Sequence, residues 1–248
     1  MSPLRTAILA QAFGALIAVA LVQLAYPKLF ALPLVVAVVQ GLCAAGVSHK
    51  LEAPRWWLAI HLGFMPLVVA AASLGLDPLW YLGGFVLLLL VFWRTDTSRV
   101  PLYLTNSNTA VALLDLLPAT PCHVLDLGCG DGRLLRRLAR ARPDCDFLGI
   151  EHAPLPFLWA WLAALGLRNC RIRRGDFWRR PLGLFDVVYA FLSPAPMPRL
   201  WTKASAELRP GALLISNSFD VPNIAPARVV DVDDRRRTRL YCYLPAAR

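Results

Sequence analysis

The chain has 248 residues, of which 57% are hydrophobic and 17% charged, and its net charge is +10. A soluble domain carries roughly 25% charged and about 45–50% apolar residues, so this composition excludes a single ordinary soluble domain. It also excludes a disordered chain, which needs low hydrophobicity, and a disulfide scaffold, because six cysteines are spread thinly along the whole length.

The charge is divided unevenly. Residues 1–93 hold four basic residues (Arg5, Lys28, Lys50, Arg55) and two acidic ones (Glu52, Asp77), which leaves 22 basic and 14 acidic residues for 94–248. The chain therefore reads as two parts: a membrane region over 1–93, then a water-soluble domain over 94–248 of about 150 residues, long enough to bury its own core. A helix needs about 20 apolar residues to cross the hydrocarbon core. Charge-free runs at 6–26, 29–47 and 56–75 meet that length, and a shorter run at 78–93 spans only with its neighbours or in a thinner bilayer. An all-α transmembrane region of about four helices is expected. Run 6–26 is too long for the apolar part of a cleaved signal, and further runs follow at once. Gln11, Gln23, Gln40 and His61 lie inside the runs with no acid beside them, which favours hydrogen bonds between helices over a transport path. With four crossings, Arg5, Lys50, Arg55, Arg94 and Arg99 fall on one side and Lys28 on the other. The positive-inside rule then makes this a multi-pass inner-membrane protein with its soluble domain in the cytoplasm.

The pattern changes after residue 105. Asn106–Leu117 has the spacing of an amphipathic helix. Short apolar runs at Val124–Leu127, Phe147–Ile150, Cys170–Arg174, Phe185–Leu192 and Ala212–Ser216 read as strands. Helical segments at Asp131–Arg142, Leu155–Leu165 and Arg199–Leu208 separate them, and Val229–Val232 with Arg239–Leu244 form a closing strand pair. Alternating strands and helices predict an α/β domain whose parallel sheet is covered on both faces.

Ligands bind at the carboxyl ends of the strands in such a sheet, and the polar signals fall there. The first strand ends in Asp126-Leu127-Gly128-Cys129-Gly130-Asp131-Gly132-Arg133. A dinucleotide loop would place its third glycine at the sixth position, where Arg133 stands. Asp126 and Asp131 flank the loop; they would repel a pyrophosphate and suit a ligand with a positive centre and an amino group. Either acid also suits a plain helix cap. Glu151, 21 residues past Gly130, can accept two ribose hydroxyls. Asp176 can accept an adenine amino group while Phe177 covers the ring.

The loop with Glu151 and Asp176 resembles the S-adenosylmethionine site of class I methyltransferases, over about residues 100–245. Val100-Pro101, the D-G-R ending of the loop, Gly149-Ile150-Glu151, Asp176-Phe177-Trp178, Phe191–Met197 and Tyr241-Cys242-Tyr243 are similar to one branch: the membrane-anchored protein-lysine methyltransferases of mitochondria and their bacterial relatives. That branch modifies lysines of the adenine nucleotide translocase and the ATP synthase c subunit. Its usual asparagine–proline pair after the acid is His152-Ala153-Pro154 here, and its anchor is typically one hydrophobic segment.

The resemblance implies a Rossmann-like class I methyltransferase sheet, S-adenosyl-L-methionine as cofactor and N-methyl transfer. The cofactor set is Asp126, Gly128, Gly130, Asp131, Glu151, His152, Asp176, Phe177 and Thr105. The acceptor is expected near Phe191, Leu192 and Ser193, with Tyr103 or Thr105 closing the pocket. The substrate is a lysine of a membrane protein, or alternatively a lipid, quinone or other membrane small molecule; a non-catalytic membrane module that keeps the pocket is the third reading. The cysteines form no C-x-x-C pair and the four histidines lack ligand spacing, so no metal is expected. Arg179-Arg180 and Arg235-Arg236-Arg237 stand without interleaved aromatics, which speaks against nucleic acid and for a solvated face that favours an anionic leaflet of the bilayer.

Overall fold

A computed structural model describes residues 3–93, 103 and 105–245, and the chain divides into two compact units, Met1–Leu82 and Gly83–Arg248. The first unit begins with α1 (Pro3–Ala25), a short 3-10 turn (Pro27–Ala31), α2 (Pro33–Lys50) and α3 (Trp56–Ala72). Helix α4 (Pro78–Val91) follows and runs into the second unit. The run expected at 29–47 thus begins later, because Pro33 lacks an amide hydrogen and fits only the first turn of a helix. It continues through Ser48-His49-Lys50 and stops where Glu52 takes φ 55. Helix α3 stops at Ala72, short of the expected 75, ahead of Gly75 at φ 64. Residues Arg5–Ala25 and Pro33–Lys50 are long and apolar enough to cross a membrane; α3 has 17 residues and α4 has 14.

The first unit is packed with its small residues inward. Ala7, Ala10, Gly14 and Ala18 of α1 are buried, as are Ala37, Gly41, Ala44 and Ser48 of α2. A Cβ on Gly14 would stand 2.5 Å from Ala44 Cα, so these backbones touch. Large side chains such as Phe13, Leu16, Leu24 and Leu42 point outward. Gln40 Nε2 donates to Gln11 Oε1 at 2.7 Å, and Gln11 Nε2 lies 2.9 Å from His61 Nδ1, so the polar residues of the runs bond across three helices.

The second unit holds a seven-stranded sheet. Its elements are α5 (Ser107–Leu114), β1 (His123–Leu127), α6 (Arg133–Ala141), β2 (Asp146–Glu151), α7 (Pro154–Ala164), β3 (Cys170–Arg174), β4 (Val187–Ala190), α8 (Met197–Glu207), β5 (Leu213–Asn217), β6 (Arg228–Asp231) and β7 (Arg239–Tyr243). The strand order is β3-β2-β1-β4-β5-β7-β6. The first five strands are parallel, and β7 joins β5 and β6 antiparallel, as the closing pair. Helices α5, α6 and α7 pack one face through Leu113, Leu135, Leu138 and Ala160, and α8 packs the other through Met197, Leu200 and Ala204. Strand β1 is apolar on both faces because it lies between these two cores. Alternation sends Leu125 and Leu127 to the α8 core and turns Val124 toward the other face, and Asp126 with it.

Gly149 of β2 pairs with Asp126 in the ladder, and a Cβ there would meet Cys129 Sγ at 2.6 Å and Leu135 Cδ1 at 2.7 Å. Gly149→Ala is expected to cost about 1–3 kcal/mol through overpacking and to lower the thermal midpoint of the full chain in detergent. Gly166→Ala, in open space, should leave the midpoint in place. Equal midpoints for the two variants would contradict this packing.

Candidate active site

The glycine loop joins β1 to α6. Gly128, Gly130 and Gly132 take φ 83, 54 and 66, values that side chains with a Cβ rarely adopt. The loop is pinned to β2: the Gly128 and Cys129 amides donate to the Ile150 carbonyl at 2.9 and 3.0 Å. The Gly130 amide donates to Glu151 Oε2 at 2.8 Å, and Glu151 Oε1 accepts the His152 and Ala153 amides at 2.7 and 2.8 Å. Glu151 thus fastens the loop to the start of α7. The end of β3 is tied to the same place, since the Gly175 amide donates to the Glu151 carbonyl at 3.0 Å.

The other two acids of the strand ends serve local caps. Asp131 Oδ1 accepts the Arg133 amide at 3.0 Å, and its other oxygen pairs with the Arg133 guanidinium at 3.3 Å. Asp176 Oδ1 accepts the Trp178 amide at 3.0 Å and heads the 3-10 turn Phe177–Arg179. Phe177 is half-buried against Trp178, whose ring carries the Arg199 guanidinium at 4.1 Å. His152 is half-buried beside Glu151.

Asp126 is different. It is 3% exposed, and among the described residues no hydrogen bond reaches its carboxylate. Burial pushes its carboxyl up to about 8, and the charge of Glu151 adds to the rise. Burial also raises Glu151, against three amide donors that favour its charged form. The site is a pair of desolvated acids, with His152 as the charge partner that favours ionised Glu151 and no ion pair to Asp126 among the described residues.

A second cluster lines the opposite side of β1. Tyr189 of β4 pairs in register with Asp126, and its hydroxyl accepts Asn217 Nδ2 at 2.7 Å and lies 3.1 Å from Thr105 Oγ1. Tyr103 stacks on Phe191 at 4.7 Å and tilts against Phe219 at 5.8 Å. Ser193 is buried and its Oγ has no partner among the described residues. The structure therefore brings Tyr103, Thr105 and Phe191 together at the ends of β4 and β5. It adds Tyr189, Asn217 and Phe219, which the sequence reading passed over. Asn217 was findable, because it is a polar residue at the carboxyl end of a strand. Tyr189 sits inside an apolar strand pattern, and Phe219 lies in a loop with no pattern.

Comparison with known proteins agrees with this arrangement. Residues 126–228 match the family model for the ANTKMT methyltransferase domain. The chain is 33% identical over 180 residues to the adenine nucleotide translocase lysine N-methyltransferase of Mus musculus, covering 68% of this chain and 75% of that protein. The chain belongs to the ANTKMT methyltransferase family. It is also 36% identical over 113 residues to trans-aconitate 2-methyltransferase of Deinococcus radiodurans, covering 44% of this chain and 43% of that one. Among solved structures, an RNA methyltransferase from Salinibacter ruber in complex with S-adenosyl-L-homocysteine superposes with a TM-score of 0.54 at 26% identity, over 59% of this chain and 95% of that chain. The sheet is the Rossmann-like sheet of class I methyltransferases, and the chain is an S-adenosylmethionine-dependent methyltransferase.

The residues present in this ANTKMT-family chain fit that cofactor. S-adenosylmethionine is a cation, and Asp126 is a buried acid that lacks a partner. Glu151→Gln would set an amide NH₂ against the Gly130 amide or against those of His152 and Ala153. An unpaired buried donor costs roughly 1–3 kcal/mol, so S-adenosylhomocysteine affinity of the full chain should fall about tenfold or more by calorimetry. Unchanged affinity would remove Glu151 from the cofactor site.

Proposed function

We propose that this chain is a membrane-anchored methyltransferase that transfers methyl groups to a lysine amine of a membrane protein near the cytoplasmic surface. The observation that carries the substrate class is the match to a lysine N-methyltransferase, which extends over three quarters of that protein's length. The inward-small packing of α1 and α2 supports the anchor. Between helices in lipid there is no hydrophobic drive, so small residues meet and large ones face the acyl chains. In water, outward Phe13, Leu16, Leu24 and Leu42 would form an exposed apolar surface. The basic residues near the run ends favour a multi-pass inner-membrane protein whose catalytic domain faces the cytoplasm.

In this reading the cofactor supplies a methyl group already activated on a sulfonium. Asp126 holds the cationic end. The oxygens of Glu151 keep lone pairs free beyond its three amide donors and take the ribose hydroxyls. Phe177 covers the adenine, with Asp176 and His152 at the pocket edge. Thr105 meets the Tyr189 hydroxyl, and Tyr103 stacks on Phe191 beside it. Tyr103 and Phe191 then flank the acceptor, and the unpartnered Ser193 Oγ is free to accept a hydrogen bond from an incoming amine. The site needs no general-base triad. A lysine that entered between the Tyr103 and Phe191 rings would lose hydration and its pKa would fall, so these residues would present a neutral amine for the methyl group that the bound cofactor would supply, with S-adenosylhomocysteine as the leaving group.

Incubating native membranes and the full chain with methyl-labelled S-adenosylmethionine tests the substrate class. Label is expected in the protein fraction, on lysine after hydrolysis, and Glu151→Ala should abolish it. Label confined to the lipid fraction would overturn the lysine reading in favour of a membrane small molecule.

A further inference from the structure

Helix α7 is built inside out. Its buried stripe is Pro156, Ala160 and Ala164, one residue per turn. Phe157 packs against the core, but Leu158, Trp159, Trp161 and Leu162, with Leu165 at the helix end, are all exposed, Trp159 and Leu165 at 64%. A helix on a soluble sheet buries its large apolar residues and shows charge outside. Here no residue of Pro154–Ala164 is charged. The same inversion governs α1 and α2, where small residues are buried and large ones exposed.

The chain around α7 is strongly basic. Residues 152–180 hold six arginines against a single acid, Asp176. Four of the arginines lie within 168–174, directly after the helix; all four are exposed, and none forms an ion pair among the described residues. β3, which carries three of them, is an edge of the sheet, so nothing in the sheet covers that side. Paired tryptophans with flanking arginines are the chemistry of a surface lying at a bilayer interface: rings sit at headgroup depth, and guanidinium groups meet lipid phosphates.

We propose that the outward face of α7 docks on an anionic lipid surface, with Trp159, Trp161 and Leu162 inserted and Arg168 and Arg174 against headgroups. This contact belongs to the catalytic unit. It deepens the membrane reading above and rests on it. Because α7 begins at Pro154, directly after the Glu151–Ala153 hydrogen bonds, docking holds the edge of the cofactor site at the lipid surface. A substrate amine close to that surface then has a short path to the methyl.

The test uses the full chain in nanodiscs with nitroxide labels at Trp159→Cys, Leu162→Cys and, as reference, Val229→Cys on the opposite sheet edge. Five of the six native cysteines are buried, and Cys43→Ser removes the sixth. In discs of phosphatidylcholine with phosphatidylglycerol, positions 159 and 162 should be open to oxygen and shielded from a water-soluble nickel chelate. Their oxygen-to-nickel ratio should exceed that of position 229 several-fold. It should fall in phosphatidylcholine alone and in Arg168→Glu/Arg174→Glu. Nickel access equal to position 229 would overturn the proposal by showing a solvated face. Exclusion of both reagents would overturn it by showing protein cover, from a second copy or from the chain's own helices. Methyl transfer is not read in this experiment, so a wrong substrate class leaves its result standing.

Discussion

The two buried carboxylates at the ends of β1 and β2 are the constraint on which the catalytic unit turns. Glu151 is satisfied by three backbone amides and so fixes the glycine loop, the start of α7 and the end of β3 in one place. Asp126 accepts no hydrogen bond among the described residues and is repelled by Glu151. Burying an unpaired charge is costly, so the ligand-free site keeps Asp126 protonated until about pH 8. A cation entering beside it reverses that balance. A positively charged ligand would favour the ionised form of Asp126, and the sulfonium cofactor of this family is such a ligand.

Packing around the loop enforces this arrangement. Gly149 leaves room for Cys129 and Leu135 on the face where Asp126 points. A Cβ on Gly128 would meet Leu192 Cδ2 at 3.7 Å, so the segment after β4 adjoins the glycine loop. The catalytic unit and the anchor unit differ in fold, yet both contain helices with small residues inside and large ones outside. In the proposed membrane reading one physical cause accounts for both: lipid rather than water on their outer face.

Much of the fold was legible in the sequence because the strands of the parallel sheet are short, apolar and punctuated by glycine or acid. β1 through β5 lie where the runs at 124–127, 147–150, 170–174, 185–192 and 212–216 place them. Helix ends were less legible. Pro33 looked like an interior residue of an apolar run, but its missing amide hydrogen makes it a start. The site was legible in part. Gly128, Gly130 and Glu151 meet as the motif spacing implies, whereas Asp131 and Asp176 spend hydrogen bonds on local caps, an alternative that sequence leaves open at any acid before a helix. Tyr189 was invisible because its role comes from cross-strand neighbours, which no linear pattern encodes, whereas Asn217 carried the signal of a polar residue at a strand end. The inverted face of α7 was hidden for a similar reason: a run of leucines, alanines and tryptophans does not say which of them face the sheet.

The central claim is that cofactor binding is driven by relieving the Asp126–Glu151 pair. Its most direct measurement is the number of protons released when S-adenosylmethionine binds the full chain near neutral pH, obtained by calorimetry in buffers of different ionisation enthalpy. Asp126, raised to about 8, is largely protonated at that pH and must ionise to meet a cation. The account predicts release approaching one proton, absent in Asp126→Asn. No proton release by the wild-type chain, or the same release by Asp126→Asn, would contradict it.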